Sequence, residues 1–195
     1  MSIHIATICG SVRKNRRSIW PARYVHEKIK DAGHNSTLVD FLELPLPFVD
    51  SDPNPGNLDK KYPYENVQKW SAIADSVDGF IIVTPEYNHG YPAVLKNALD
   101  WLYPEFSNKP VGLVGVSDGP SGGLRAVEQL RPIMANFGMY DIQQAVGVRT
   151  VQDAFSDTGE LLDPKLGKSI HKLITTLTST AEAMRALRID KNDKI

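Results

Sequence analysis

The chain has 195 residues, 42% hydrophobic and 23% charged, which is ample for one domain with a sizeable core and cramped for two. A formal net charge of -1 and a pI near 6.5 exclude the strongly basic field that nucleic-acid binding draws on. No apolar run approaches the roughly 18 to 20 residues that span a bilayer, the N-terminus lacks the basic and apolar regions of a secretory signal, and the lone Cys9 cannot close an intramolecular disulfide, so the expected location is the cytoplasm.

Residues 3–8 form a short apolar run ending in Cys9-Gly10 and read as a strand buried on both faces. After a polar loop, Ile19, Ala22, Val25, Ile29 and Ala32 recur at helical spacing, with Gly33 placed to cap the end. A second strand over 36–41 leads into a proline-rich excursion, 44–64, whose Pro45, Pro47, Pro53, Pro55 and Pro63 oppose regular structure. A helix is then predicted over 65–76, a strand over 79–84, a helix over 93–102, a strand over 111–117, a helix over 124–137 and a strand over 142–148. A long helix over 165–187 closes the chain, with a frayed charged tail at 189–195.

Strands alternating with helices imply βαβ units, a parallel sheet and helices on both faces, an α/β fold of three layers in a single domain over 1–195. Five such strands suit the flavodoxin-like order 2-1-3-4-5, which places ligands outside the carboxyl ends of the strands, at the switch between strands one and three. The loops after strands one, three and four are therefore expected to converge on one crevice.

The first of these, residues 10–18, carries Ser11, Arg13, Lys14, Asn15, Arg16, Arg17 and Ser18 at the start of a helix. Free N–H groups there, with hydroxyls and guanidinium forks, suit a phosphate monoester; a solvated basic turn would read the same way. Neither the dinucleotide G-x-G-x-x-G nor the P-loop pattern is present. The second loop, Pro85-Glu86-Tyr87-Asn88-His89-Gly90-Tyr91-Pro92, offers side chains that stack on a flat ligand and hydrogen-bond around its edge. The third contains Gly115-Val116-Ser117-Asp118-Gly119, which matches the G-x-S-x-G nucleophile elbow of α/β-hydrolases. An elbow needs a helix directly after its serine, yet Gly119-Pro120-Ser121-Gly122-Gly123 intervenes, and the one later histidine, His171, lies within a predicted helix.

Gly10-Ser11-x-Arg13, Pro85-Glu86-Tyr87-Asn88 and Leu95-Lys96-Asn97-Ala98-Leu99-Asp100-Trp101 together resemble the NADPH-dependent FMN reductase family, which includes flavodoxin-like quinone, azo-dye and chromate reductases. The resemblance covers residues 3 to about 148, and it departs from the common pattern in the longer stretch 14–20. It implies that Ser11, Arg13 and Ser18, with Arg16 or Arg17, hold the FMN phosphate. Pro85, Glu86, Tyr87 and Asn88 would line the isoalloxazine, and Ser117, Gly119 and Gly122 would flank the ring. Tyr87, Asn88 and His89 would meet the substrate. NADPH, or NADH, would be the electron donor, and a small molecule the acceptor. No protein nucleophile or metal is then required, because the cofactor carries the chemistry. An FMN-dependent electron carrier is the alternative, against which the near-neutral charge argues. The helix over 93–102 is apolar over more than one stripe and is expected to build a homodimer or homotetramer.

Overall fold

The structure, a computed structural model, describes residues 2–192, with side chains up to residue 188. Strands form where the sequence runs apolar: β1 (His4–Cys9), β2 (Asn35–Asp40), β3 (Gly79–Pro85), β4 (Pro110–Val116) and β5 (Tyr140–Val148). All pairings are parallel, and the order β2-β1-β3-β4-β5 is the flavodoxin-like one expected. Every residue of β3 and β4 is buried, as coverage by helices on both faces demands.

The helices are α1 (Ile19–Asp31), α2 (Glu65–Ser76), α3 (Ala93–Asp100), α4 (Leu124–Asn136), a single turn α5 (Val151–Ala154) and α6 (Pro164–Asn192). They cover two distinct cores. Beneath α2, α3 and α4, the rings of Trp70, Phe80, Phe106 and Phe137 meet tilted or edge-on at centroid distances of 5.1 to 6.5 Å. The opposite face, beneath α1 and α6, is mostly aliphatic, built from Ile5, Val25, Ile81, Val114, Ile170 and Leu173.

Three features depart from the sequence reading. The turn α5 is too short to leave a periodic signature and was not predicted. Helix α6 continues past the expected end at 187, since neither glycine nor proline interrupts residues 168–192; the remainder of the predicted tail, 193–195, lies outside the described residues.

The third departure concerns the excursion over 44–64. It contains a 3₁₀ turn, Pro55–Asn57, started by Asn54, whose Oδ1 accepts the Gly56 N–H at 3.1 Å. It also lies as a strap across α3. Asn97 donates from Nδ2 to the Pro47 carbonyl at 2.8 Å and accepts the Val49 N–H at 3.1 Å, while Trp101 Nε1 donates to the same Pro47 carbonyl at 2.7 Å. Tyr64 stacks edge-on against Trp101 at 5.7 Å. Where the strap rejoins the fold, buried Glu105 accepts from the Tyr62 hydroxyl at 2.8 Å and the Ser71 hydroxyl at 2.6 Å. Leu95, Ala98 and Leu99 point into the core, and the second apolar face of α3 is covered by the strap. The surplus apolar surface read as a subunit contact is thus largely absorbed within the chain.

Removing the Asn97 amide strands the Val49 N–H and leaves the Pro47 carbonyl with Trp101 alone as its donor. Asn97→Ala is expected to lower unfolding free energy by about 1 to 3 kcal/mol and to speed proteolytic cleavage within 44–64, as read by urea denaturation and limited digestion; a strap no more easily cut than in the parent would contradict this anchoring.

Candidate functional site

The backbone ladder of the sheet runs one residue past each of three strands. Gly10 N–H donates to the Val83 carbonyl at 2.8 Å, Glu86 N–H to Val116 at 2.9 Å and Ser117 N–H to Val148 at 3.1 Å. The three loops that the topology directs to the carboxyl edge therefore start from fixed points, and they do meet. A cavity of about 190 Å³ is lined by Arg13, Arg16, Arg17 and Ser18 of the first loop, Pro85, Glu86 and Tyr87 of the second and Ser117 of the third. A shallower hollow of about 360 Å³ joins it across Glu86 and Ser117 and is lined by Asn88, His89, Gly119 and Arg125.

The first loop presents donors without acceptors. Ser18 begins α1 with helical backbone angles, is 3% exposed, and its hydroxyl has no hydrogen-bond partner among the described residues; the same holds for the buried Nε of Arg16. Buried donors left unpaired cost free energy unless something meets them. The outer amino group of Arg16 pairs with Asp40. Arg13 and Arg17 form no ion pair among the described residues; their guanidinium groups lie 5.6 Å over the Tyr87 ring and 5.8 Å over the Trp20 ring. Ser11 is buried and its Oγ lies 2.6 Å from the Tyr87 hydroxyl, so this phenol points toward the first loop. Burial pushes the Cys9 thiol up, which keeps it protonated and unreactive beneath this loop.

In the second loop Tyr87 and Gly90 exchange both backbone hydrogen bonds, at 2.8 and 2.9 Å, and close a two-residue turn with Asn88 at φ 50° and His89 at φ 69°. A left-handed pair without glycine is costly and persists only where neighbours over-determine it. Gln129 of α4 supplies one such tie, donating to the His89 carbonyl at 3.0 Å. Asn88 and His89 stand exposed on the rim.

Glu86 differs from the sequence reading in what its side chain does. Its carboxylate accepts from Arg125 at 2.8 Å and from Ser121 Oγ at 3.2 Å, so it ties the second loop to α4 and to the third loop. Burial raises its pKa, but Arg125 and Ser121 outweigh that and hold the carboxyl below the usual range. Gly122 also departs from expectation. A Cβ there would lie 2.9 Å from the Gly147 carbonyl carbon, so Gly122 faces β5 and does not line the crevice. Gly123, at φ 75°, lets the loop lie back on its own strand, since a Cβ would stand 2.2 Å from the Val116 nitrogen. Ser117 is no elbow nucleophile in this geometry: its hydroxyl donates to the Gly119 carbonyl at 2.8 Å, and α4 starts only at Leu124.

Sequence reasoning missed Asp40, Ser121, Arg125 and Gln129. Asp40 and Arg125 each carried a signal, an acid at the end of a strand and a cation in the first turn of a helix that follows a glycine pair, but their partners are distant in sequence. The largest cavity, about 1190 Å³, lies elsewhere, between α1, the β2 edge and α2, with an apolar floor of Leu38, Leu44 and Ile73. It touches the first loop through Asn15, Arg16 and Arg17 but receives nothing from the second or third. The smaller cavity is the candidate site because all three loops meet there and its lining includes Ser18 and Arg16, two of the residues with a buried donor that has no partner among the described residues.

The family model described as NADPH-dependent FMN reductase matches residues 3–153. An NAD(P)H-dependent FMN reductase of Schizosaccharomyces pombe is 39% identical over 130 residues, a match spanning 66% of this chain and 64% of the relative. An NADPH azoreductase of a Bacillus species is 25% identical over 187 residues, 95% of this chain and 99% of the relative. Among solved structures, FerB of Paracoccus denitrificans, a flavoenzyme NAD(P)H:(acceptor) oxidoreductase, superposes with a TM-score of 0.78 at 21% identity, covering 93% of this chain and 98% of its own, which shows the shared fold.

Glu86→Gln loosens the tie to Arg125 and is expected to cost about 1 kcal/mol at neutral pH, the pair being partly solvated. Because the folded carboxyl sits below its ordinary 4.5, its contribution is present above that pH and is lost as pH falls through the folded value. Urea denaturation of parent and variant should show the gap closing on acidification; a gap independent of pH would contradict the assignment.

Proposed function

Since this chain belongs to the NADPH-dependent FMN reductase family, we propose that it is an NAD(P)H oxidoreductase whose FMN seats its phosphate in the 190 Å³ cavity and its ring in the adjoining hollow. The observation that carries this reading is the pair of orphan donors, Ser18 Oγ and Arg16 Nε, in a cavity that also holds the unpaired cations Arg13 and Arg17. An anion is what such a cradle lacks.

Bound there, FMN supplies two-electron chemistry, taking hydride from NADPH and returning the electrons to an acceptor. The protein's part is binding and orientation. Ser11, Arg13, Arg17 and Ser18, with Arg16, hold the phosphate. Pro85, Glu86 and Asn88, together with Ser117 and Gly119, form the wall along the ring edge; Pro85 has no N–H and those of Glu86 and Ser117 are used in the sheet ladder, so the N–H groups of Asn88 and Gly119 are the donors this wall offers to the charge of a reduced ring. Tyr87 bridges from the ring side to Ser11. Asn88 and His89, exposed on the left-handed turn, meet whatever enters above the ring. One open face serves both donor and acceptor in turn, which makes the kinetics ping-pong. Acceptors are flat or oxidising small molecules: quinones, azo compounds such as the Bacillus relative's name indicates, free flavins and metal oxyanions. The enzyme works in the cytoplasm. It assembles as a homodimer or homotetramer over α3 and its strap, where Phe48, 78% exposed, leaves apolar surface for a second copy.

Purified protein is expected to be yellow and to bleach with NADPH in the absence of oxygen, with a quinone restoring the colour. Colourless protein without affinity for FMN would contradict the reading. Ser18→Ala, which removes one anion donor, should weaken FMN binding by about tenfold. Sedimentation velocity should show a dimer or tetramer; a monomer at micromolar concentration would remove the proposed assembly.

A further inference from the structure

Asp40, at the last position of β2, is opposite Cys9 in the β1–β2 register. Its carboxylate is shared between two tasks: one oxygen accepts the Leu42 N–H at 3.0 Å, and the other takes the outer amino group of Arg16. Both side chains are nearly withdrawn from water, 11% exposed for Arg16 and 12% for Asp40. Burying an ion pair this deeply is no gain for folding, because desolvation offsets the attraction and an apolar pair of similar size would do as well. Its placement gives it a use. Arg16 is anchored through one amino group by Asp40, while its Nε is buried without a hydrogen-bond partner among the described residues, and Arg16 and Ser18 line the same small cavity. A planar fork fixed at one edge has its remaining donors aimed in one direction. Arg16 also stands between the small cavity and the large groove along β2, lining both.

From this arrangement we infer that Asp40 is a positioning residue for the phosphate end of the cofactor: it holds Arg16 in the one orientation that completes the anion cradle with Ser18. The inference rests on the FMN reading above and adds to it a residue outside all three crevice loops. Asp40 touches no ligand. It acts by taking the free rotation out of the Arg16 side chain, so that binding does not bear that ordering cost. It also prevents Arg16 from turning into the groove, whose rim includes Glu43 and Asp157 as competing carboxylates.

The test compares FMN with riboflavin, which carries the same ring and ribityl chain but no phosphate, by fluorescence-quenching titration of the full-length protein. Asp40→Asn keeps an oxygen for Leu42 and loses the ion pair. It is expected to weaken FMN by about tenfold and leave riboflavin within about twofold, while the double variant with Arg16→Ala is no weaker for FMN than Arg16→Ala alone. An equal loss for both flavins would make Asp40 a purely structural residue and overturn the inference, as would additive effects of the two substitutions. If Asp40→Asn does not accumulate folded, Asp40→Glu retains the charge but displaces the fork and must show the same selective loss of FMN. Parent protein that binds FMN no better than riboflavin would sink the phosphate reading itself, whereas parent preference for FMN that survives in Asp40→Asn would sink the positioning role alone.

Discussion

Everything at the carboxyl edge depends on the parallel ladder continuing past the ends of its strands. Gly10, Glu86 and Ser117 are each the first loop residue after β1, β3 and β4, and each donates its N–H to the neighbouring strand. A loop whose first residue is so fixed departs from a defined point at a defined angle. Because β1 and β3 are adjacent while the chain between them passes out to β2 and back, the loops leave a gap between them as they part. The close approach of Gly10 to the sheet is part of this constraint, since a Cβ there would lie 3.1 Å from the Val83 carbonyl oxygen. The crevice is thus a consequence of topology, and the side chains only decide what enters it.

Those side chains divide the crevice by chemistry. The end lined by the first loop gathers Ser18 Oγ, Arg16 Nε and the guanidinium groups of Arg13 and Arg17, with Asp118 and Glu86 as the carboxylates of its wall, and the other end is made of backbone held by remote ties. Glu86 uses its charge on Arg125 and Ser121, which ties the second loop to α4 and to the third loop. Gln129 holds the strained Asn88–His89 turn from the same helix. Helix α4 is therefore the frame for this rim of the crevice. The phosphate end is framed from the opposite edge, by β2 through Asp40. A site defined from two sides in this way is preorganised, and preorganisation is what a protein contributes when a cofactor performs the chemistry.

Much of this was legible in the sequence, for identifiable reasons. Alternating apolar runs and helical periods gave the strand order, and the polar loops at 10–18, 85–92 and 117–123 stood out because they interrupt buried elements with hydroxyls, amides and cations. What was not legible are the contacts between residues far apart in the chain. Asn97 reads as an ordinary helix residue until Pro47 and Val49 arrive beneath it from 50 and 48 residues away. For the same reason nothing in the wide apolar pattern of α3 shows that the strap lies over part of it. Glu86 gives no sign in the sequence that its carboxylate goes to Arg125, 39 residues on. Gly122 was placed beside the ring by the family resemblance, whereas its need for space comes from Gly147 on β5. Local pattern encodes elements and loops; pairing across the fold decides which side chains remain free for a ligand.

The central claim is spatial: the anion cradle at Ser18 and Arg16 is the phosphate end of a flavin site, and the larger groove along β2 is not. A crystal structure of the protein with FMN tests this directly. The account predicts the phosphate within hydrogen-bonding distance of Ser18 Oγ and the Arg16 guanidinium, with the ring lying along Pro85–Asn88 and one face open beneath His89. An FMN whose ring fills the β2 groove between Leu38, Leu44 and Ile73, with Ser18 still unpaired, would contradict it.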